Sequence, residues 1–316
     1  MWTDTSNAHG RELIQQLEHL RQVVLGVAFP NDTAANGKSF VIALRDGEEV
    51  GAYIPEQFIA YASGDGNPAR RPMILLPADV DGSDAHVITH ELTHVISYNV
   101  IRHQPPWFAE GIAGFFATVR LDAGLENVDV GQPLDHVVQS LRYSRPKSAR
   151  ALFACRENIC MDEMFYATTW ALFSFLANEH PAELLKLEAR LDELPDQEQA
   201  KAWSEVFPEL TPEALDHELA GWLAHGRHVV WHFKAKLQDW PVTERKLADG
   251  DVYAARALLR MMFKREGAEA ELATALAAET CSRTWSTPRR RSRSPRAPPA
   301  RWRRLIPTIG GPGTSS

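Results

Sequence analysis

The sequence predicts an α+β fold: an early helix, a small mixed sheet, and then a succession of helices. Three observations carry this. Short apolar runs bounded by turn-forming residues fall within the first eighty positions, as strands would. Apolar residues at helical spacing recur in segments from about residue 83 to residue 278. With 316 residues, 44% hydrophobic and 24% charged, the chain has a globular composition and enough length for an ample core.

In chain order, residues 10–25 read as an amphipathic helix with Leu13, Leu17, Leu20 and Val24 on one stripe. Phe40–Leu44 is an apolar run between Gly37-Lys38 and Asp46-Gly47, which suits a strand. Residues 55–61 are open to a short helix. Ile59-Ala60-Tyr61 and residues 73–76 also read as strands on either side of a Gly64-Asp65-Gly66-Asn67-Pro68 turn. A helix over residues 83–100 follows, with Ser83 or Asp84 as its cap. Ile88, Leu92, Val95 and Ile96 would bury one side of it.

Pro105-Pro106 fits the first turn of the next helix, where a missing N–H is harmless. Ile112, Phe115, Phe116 and Val119 form its apolar face. Gly111, Gly114 and Ala117 are small enough to admit a close neighbour. After a less regular stretch, residues 162–178 predict an apolar helix, and from Glu183 onward the chain reads as mostly helical. Residues 249–278 look like a single tetratricopeptide-type helix pair without a clear period.

This gives three segments: a domain over residues 1–180, a helical extension over 181–281, and a tail over 282–316. The tail holds nine arginines and no acid, so the rest of the chain carries −16 of the net −7. An acidic body disfavours nucleic acid as its partner. The Arg/Pro/Ser-rich tail predicts disorder; it fits a basic arm for nucleic acid or anionic lipid, or a frame-shifted reading of a GC-rich gene. No apolar run approaches the ~20 residues of a membrane span. Cys155, Cys160 and Cys281 are too few for a disulfide framework. Ordinary thiols are the simpler expectation for Cys155 and Cys160, and a small local disulfide loop in an oxidising compartment is the alternative.

The chemistry is concentrated in His90-Glu91-Leu92-Thr93-His94. Two imidazoles four residues apart on a helix stand one above the other and can grip one metal ion. A carboxylate beside the first can take a proton from an activated water. Sixteen positions after His94, Glu110 lies on the Pro-Pro-Trp helix and offers a third ligand. A catalytic zinc takes three protein ligands and keeps a fourth position for water, so His90, His94 and Glu110 would supply the set and Glu91 the base. His86 shares the face one turn earlier, but eight residues of helix span roughly 12 Å, too far for one ion to bind His86 and His94 together. His103 has no assignable task. Tyr166 is a candidate oxyanion donor or a core aromatic, and Asp162 and Glu163 are either partners for a ligand histidine or helix N-terminal acids.

Residues from about 10 to 180 resemble the gluzincin zinc metallopeptidases and, more narrowly, the bacterial peptidase MA-like (DUF1570-type) family. The resemblance is carried by His90-Glu91-Leu92-Thr93-His94, by Pro106-Trp107-Phe108-Ala109-Glu110-Gly111-Ile112-Ala113, and by Tyr166-Ala167-Thr168-Thr169-Trp170-Ala171-Leu172. It implies a gluzincin-like domain with a helical C-terminal extension, Zn2+ on His90, His94 and Glu110, and catalysis by Glu91, with Tyr166 assisting. The expected activity is zinc-dependent hydrolysis of a peptide or protein substrate. The alternative is an inactive pseudopeptidase that recruits a protein partner through its helical extension; a metal-free helical scaffold is a third reading. Family members often begin with an export signal or lipid anchor, which the first residues here do not resemble. The compartment expected is cytoplasmic if the N-terminus is complete and extracytoplasmic if a leader is missing.

Overall fold

A computed structural model describes residues 1–30, 39–55, 58–63, 72–79, 85–101, 103–156, 160–195, 198–226 and 228–285. Its first elements are β1 (Trp2–Thr3), α1 (Asn7–Ala28), β2 (Phe40–Leu44), α2 (Gly47–Gly51), β3 (Tyr61–Ser63) and β4 (Met73–Pro77). Then come α3 (Ala85–Val100), α4 (Pro106–Ala117), β5 (Arg120–Leu121), β6 (Asn127–Val130), α5 (Asp135–Tyr143), α6 (Ala149–Ala154) and α7 (Glu163–Glu179). The remainder is α8 (Pro181–Glu193), α9 (Gln199–Val206), α10 (Pro212–Ala224), β7 (Trp231–Lys234), α11 (Asp249–Met262) and α12 (Ala268–Trp285). The chain divides into two compact units, Met1–Arg245 and Lys246–Ser316, whereas the sequence places boundaries after residues 180 and 281.

The first sheet has the order β1-β2-β4-β3, with β1, β2 and β4 parallel and β3 antiparallel at the edge. It is the small mixed sheet the sequence predicts. β2 and β4 are unbroken apolar runs because both of their faces are covered, and they pair from Phe40↔Met73 to Leu44↔Pro77. Leu13, Leu17, Leu20 and Val24 of α1 join Val41, Ala43, Ile74 and Leu76 in one core. Ser6 caps α1 by accepting the His9 N–H at 3.3 Å.

Local structure departs from the expectations in two places and adds to them in another. The short helix falls at Gly47–Gly51 rather than at 55–61, because the Asp46 carboxylate accepts the Glu49 N–H at 2.9 Å and caps it there. β3 accordingly starts at Tyr61, two residues after the expected strand, and residues 56–57 lie outside the described ones. Second, the chain beyond Glu183 is mostly helical, as expected, but contains a strand. Trp231–Lys234 is a strand that pairs with β6 to complete an antiparallel sheet ordered β5-β6-β7, with Val128 opposite Phe233 and Val130 opposite Trp231. Third, Cys155 and Cys160 form a disulfide, not a pair of ordinary thiols. The short connection between α6 and α7 brings their Cα atoms to 5.9 Å, within reach of one bridge.

α7 is buried nearly all round, from Phe165 to Ala177, and forms the axis of the helical layer. It lies very close to α4. A Cβ on Gly111 would sit 2.8 Å from the Thr169 carbonyl oxygen and 3.0 Å from Phe173 Cβ, so no larger residue fits without moving α7. Among the described residues, no helix is long and apolar enough to cross a membrane.

In the second unit, α11 and α12 pack as a hairpin with Ala255, Ala257, Leu259 and Ala275 buried. Gly267, at φ 87°, makes the turn before α12 in a conformation other residues disfavour. Leu258, Met261, Met262 and Leu272 remain exposed. The α12 backbone continues to Trp285, past the sequence boundary at 281. The rest of the arginine-rich tail lies outside the described residues, and so do the expected caps Ser83 and Asp84.

Candidate metal centre

α3 and α4 pack against each other, and each contributes to one polar cluster. On α3, Ile88, Leu92, Val95 and Ile96 are buried, which fixes the rotation of the helix and turns His90 and His94 toward α4. Pro106 opens α4 with no side-chain cap, and Trp107 and Phe108 bury its first turn. Glu110 follows, immediately before the close approach of α7 at Gly111.

The three side chains converge. His90 Nε2 lies 3.0 Å from His94 Nε2, and Glu110 Oε2 lies 3.3 Å from the first and 3.5 Å from the second. Among the described residues this is the group of His, Cys, Asp and Glu whose geometry can hold a metal ion. A tetrahedral ion with bonds of about 2.0–2.1 Å holds its ligands about 3.3–3.4 Å apart. These atoms come close to that spacing, and a point about 2.0 Å from all three exists about 0.6 Å out of their plane.

The electrostatics fit a cation as well. Three lone-pair atoms this close repel one another unless a proton or a metal ion sits among them. Burial pushes the Glu110 carboxyl up, but the charge of His94 and contacts with both imidazoles outweigh it and hold Glu110 well below the usual carboxylate range. Burial lowers His94, and Glu110 followed by Glu91 more than compensates, so that its net shift is upward. His94 Nδ1 is buried with no hydrogen-bond partner among the described residues. Leaving such a group unpaired costs about 1–3 kcal/mol. The donor set is thus two imidazole nitrogens and one carboxylate oxygen, a combination suited to zinc.

Glu91 adjoins His90 and is half-buried. Its charge reaches His94, Tyr98 and Tyr166, so it belongs to the same electrostatic centre. Tyr166, on the first turns of α7, is 37% exposed. Burial, then the charges of Glu110 and Glu91, push its phenol up to about 12, which keeps it protonated and able to donate. Among the described residues no hydrogen bond joins Tyr166 to the cluster; only the electrostatic proximity does.

Asp162 and Glu163 belong to the helix terminus. Asp162 caps α7 by accepting the Phe165 N–H at 2.8 Å and pairs with Lys147 Nζ at 2.8 Å, while Glu163 bonds Ser140. His86 is not part of the converging group, in line with the helix geometry. One neighbour was missed in the sequence. Tyr98 sits one turn beyond His94, its ring stacked on the imidazole at 6.0 Å with 22° between planes. Burial first, then Glu110, Glu91 and Tyr61, push its phenol well above its ordinary value. The spacing 90, 94, 98 was legible and would have found it.

Fold and site together define an α+β protein with a two-histidine, one-carboxylate group able to hold a metal ion. Residues 84–195 match the family described as "Protein of unknown function (DUF1570)". The match runs from α3 into the residues after α8 and so contains His90, Glu91, His94, Glu110 and Tyr166. It supports membership of that family and carries no activity with it. No curated protein matches the chain.

Proposed function

We propose that the protein is a zinc-dependent peptidase of the gluzincin kind. The observation that carries the reading is the convergence of His90, His94 and Glu110 at tetrahedral ligand spacing, with Glu91 next to the first. A zinc ion held there supplies Lewis acidity toward a water and a substrate carbonyl. Glu91 takes the proton of the attacking water and returns it to the leaving amine. Tyr166, protonated and partly exposed, donates a hydrogen bond to the developing oxyanion.

The edge strand supports a peptide as the substrate class. β3 pairs with β4 on one side, and among the described residues no strand pairs with its other side. It lies beside α3, so an extended peptide hydrogen-bonded along this edge would pass near the cluster. The Cys155–Cys160 disulfide supports an oxidising compartment as the working location.

Glu91→Gln is the direct test. Peptide hydrolysis should fall by about 10²–10⁴-fold while zinc content stays near one per chain by elemental analysis. Unchanged turnover would remove Glu91 from the mechanism. The exposed apolar residues Leu258, Met261, Met262 and Leu272 favour a second reading, in which the helix pair recruits a protein partner and the centre is inactive. Stoichiometric zinc without hydrolysis in the unsubstituted protein would select it.

A further inference from the structure

We infer that Tyr98 is a positioning residue for the metal centre, holding the His94 ring in its ligating orientation by stacking. This rests on the metal-site reading and goes beyond its ligand set. A metal-ligating histidine is ordinarily oriented through its second ring nitrogen, which donates to a carboxylate, carbonyl or water. Among the described residues His94 has no such partner, since its Nδ1 is buried and makes no hydrogen bond with any of them. The orientation of the ring therefore depends on what packs against it.

Two rings do. His90 meets His94 edge-on, with centroids 4.7 Å apart and 83° between planes. Tyr98 lies nearly parallel to it, with centroids 6.0 Å apart and 22° between planes. Both spacings are those of favourable aromatic pairs. All three rings project from one face of α3 at successive turns, so the helix holds the stack in register. His90 is itself a ligand of the centre, which leaves Tyr98 as the ring whose contribution is orientation alone. The stack takes the place of the missing Nδ1 hydrogen bond.

The test uses the full chain, with Zn2+ affinity measured by competition against a chromophoric chelator and Co2+ loaded as a spectroscopic probe. Tyr98→Phe keeps the flat ring and should bind Zn2+ within about threefold of the unsubstituted protein, with the same cobalt d–d bands. Tyr98→Leu keeps apolar bulk without a ring. It should bind at least about tenfold more weakly, the loss typical of an orienting partner, and should shift the cobalt bands. Tyr98→Met provides the same comparison if the leucine variant melts early. Wild-type affinity and unchanged cobalt bands in the ringless variants would overturn the inference. So would a phenylalanine variant as weak as the leucine one, because the effect would then lie in the hydroxyl. If the unsubstituted protein binds neither ion, the metal-site reading itself fails, an outcome separate from either.

Discussion

Two buried glutamates in the first unit show opposite answers to the same problem. Glu188 on α8 is buried and Glu110 on α4 largely so, and burial pushes both carboxyls up. Around Glu110, two imidazoles 3.3 and 3.5 Å away reverse the shift and keep it ionised. Around Glu188 burial acts alone, and the group is pushed up to about 8. Burial by itself yields a neutral acid. An ionised carboxylate in the interior marks a place where cationic partners have been assembled, and here that place coincides with metal-ligand geometry.

The largest effect should come from removing the compensated carboxylate. Glu110→Gln takes away the charged ligand while keeping the shape of the side chain. Zn2+ affinity should fall by at least about a hundredfold, beyond the loss expected for an outer hydrogen-bond partner. A thermal-shift series makes the comparison directly. Zinc at a concentration that saturates the unsubstituted protein should raise its melting temperature and that of Glu188→Gln, and should raise that of Glu110→Gln far less. Equal zinc stabilisation in all three would place the ion elsewhere.

The uncompensated carboxylate should show itself in the pH dependence of stability. The folded-state value of about 8 for Glu188 exceeds the unfolded value of 4.5. The folded form therefore holds a proton that the unfolded form releases as pH rises above about 4.5. The contribution of Glu188 to stability is greatest below that pH, declines up to about 8, and is absent above it. The penalty is on the order of a few kcal/mol. Urea unfolding of Glu188→Gln at pH 5 and pH 9 should show most of this decline removed. A variant that loses as much as the unsubstituted protein would mean that Glu188 is not the source.

The sequence showed the centre more fully than its surroundings, for physical reasons. The spacing of His90 and His94 maps directly onto a helix face, and the Pro-Pro-Trp start placed Glu110 on its own helix. Nothing local could show that Trp231 and Phe233 return to pair with Val130 and Val128, because that contact spans about a hundred residues. The Cys155–Cys160 bridge was likewise ambiguous, since spacing permits a bond but only the backbone path brings the two residues together. Tyr98 differs from both: its spacing from His94 is local and legible, but spacing alone does not distinguish a ring stacked on a ligand from one packed in the core.

A third carboxylate sharpens the contrast and should give the smallest effect. Asp162 lies at the surface, where its Oδ1 accepts the Phe165 N–H and Lys147 pairs with its other oxygen. Lys147 is the main cause holding it below its ordinary value; burial opposes this, and the Phe165 and Met164 N–H groups add to the lowering. The sign is therefore opposite to that of Glu188. The stabilisation is present above the unfolded value of 3.8 and disappears as pH falls through the lower folded one. Asp162→Ala should cost about 1 kcal/mol at pH 7, the usual loss for a helix cap, and much less near pH 2. Asp162→Asn keeps an oxygen for the Phe165 N–H and forfeits only the exposed ion pair, so it should lose no more than a few tenths of a kcal/mol. Chemical denaturation of both variants at the two pH values separates cap from charge. If the asparagine variant lost as much as the alanine one, the stabilisation would lie in the pair with Lys147 and not in the helix terminus.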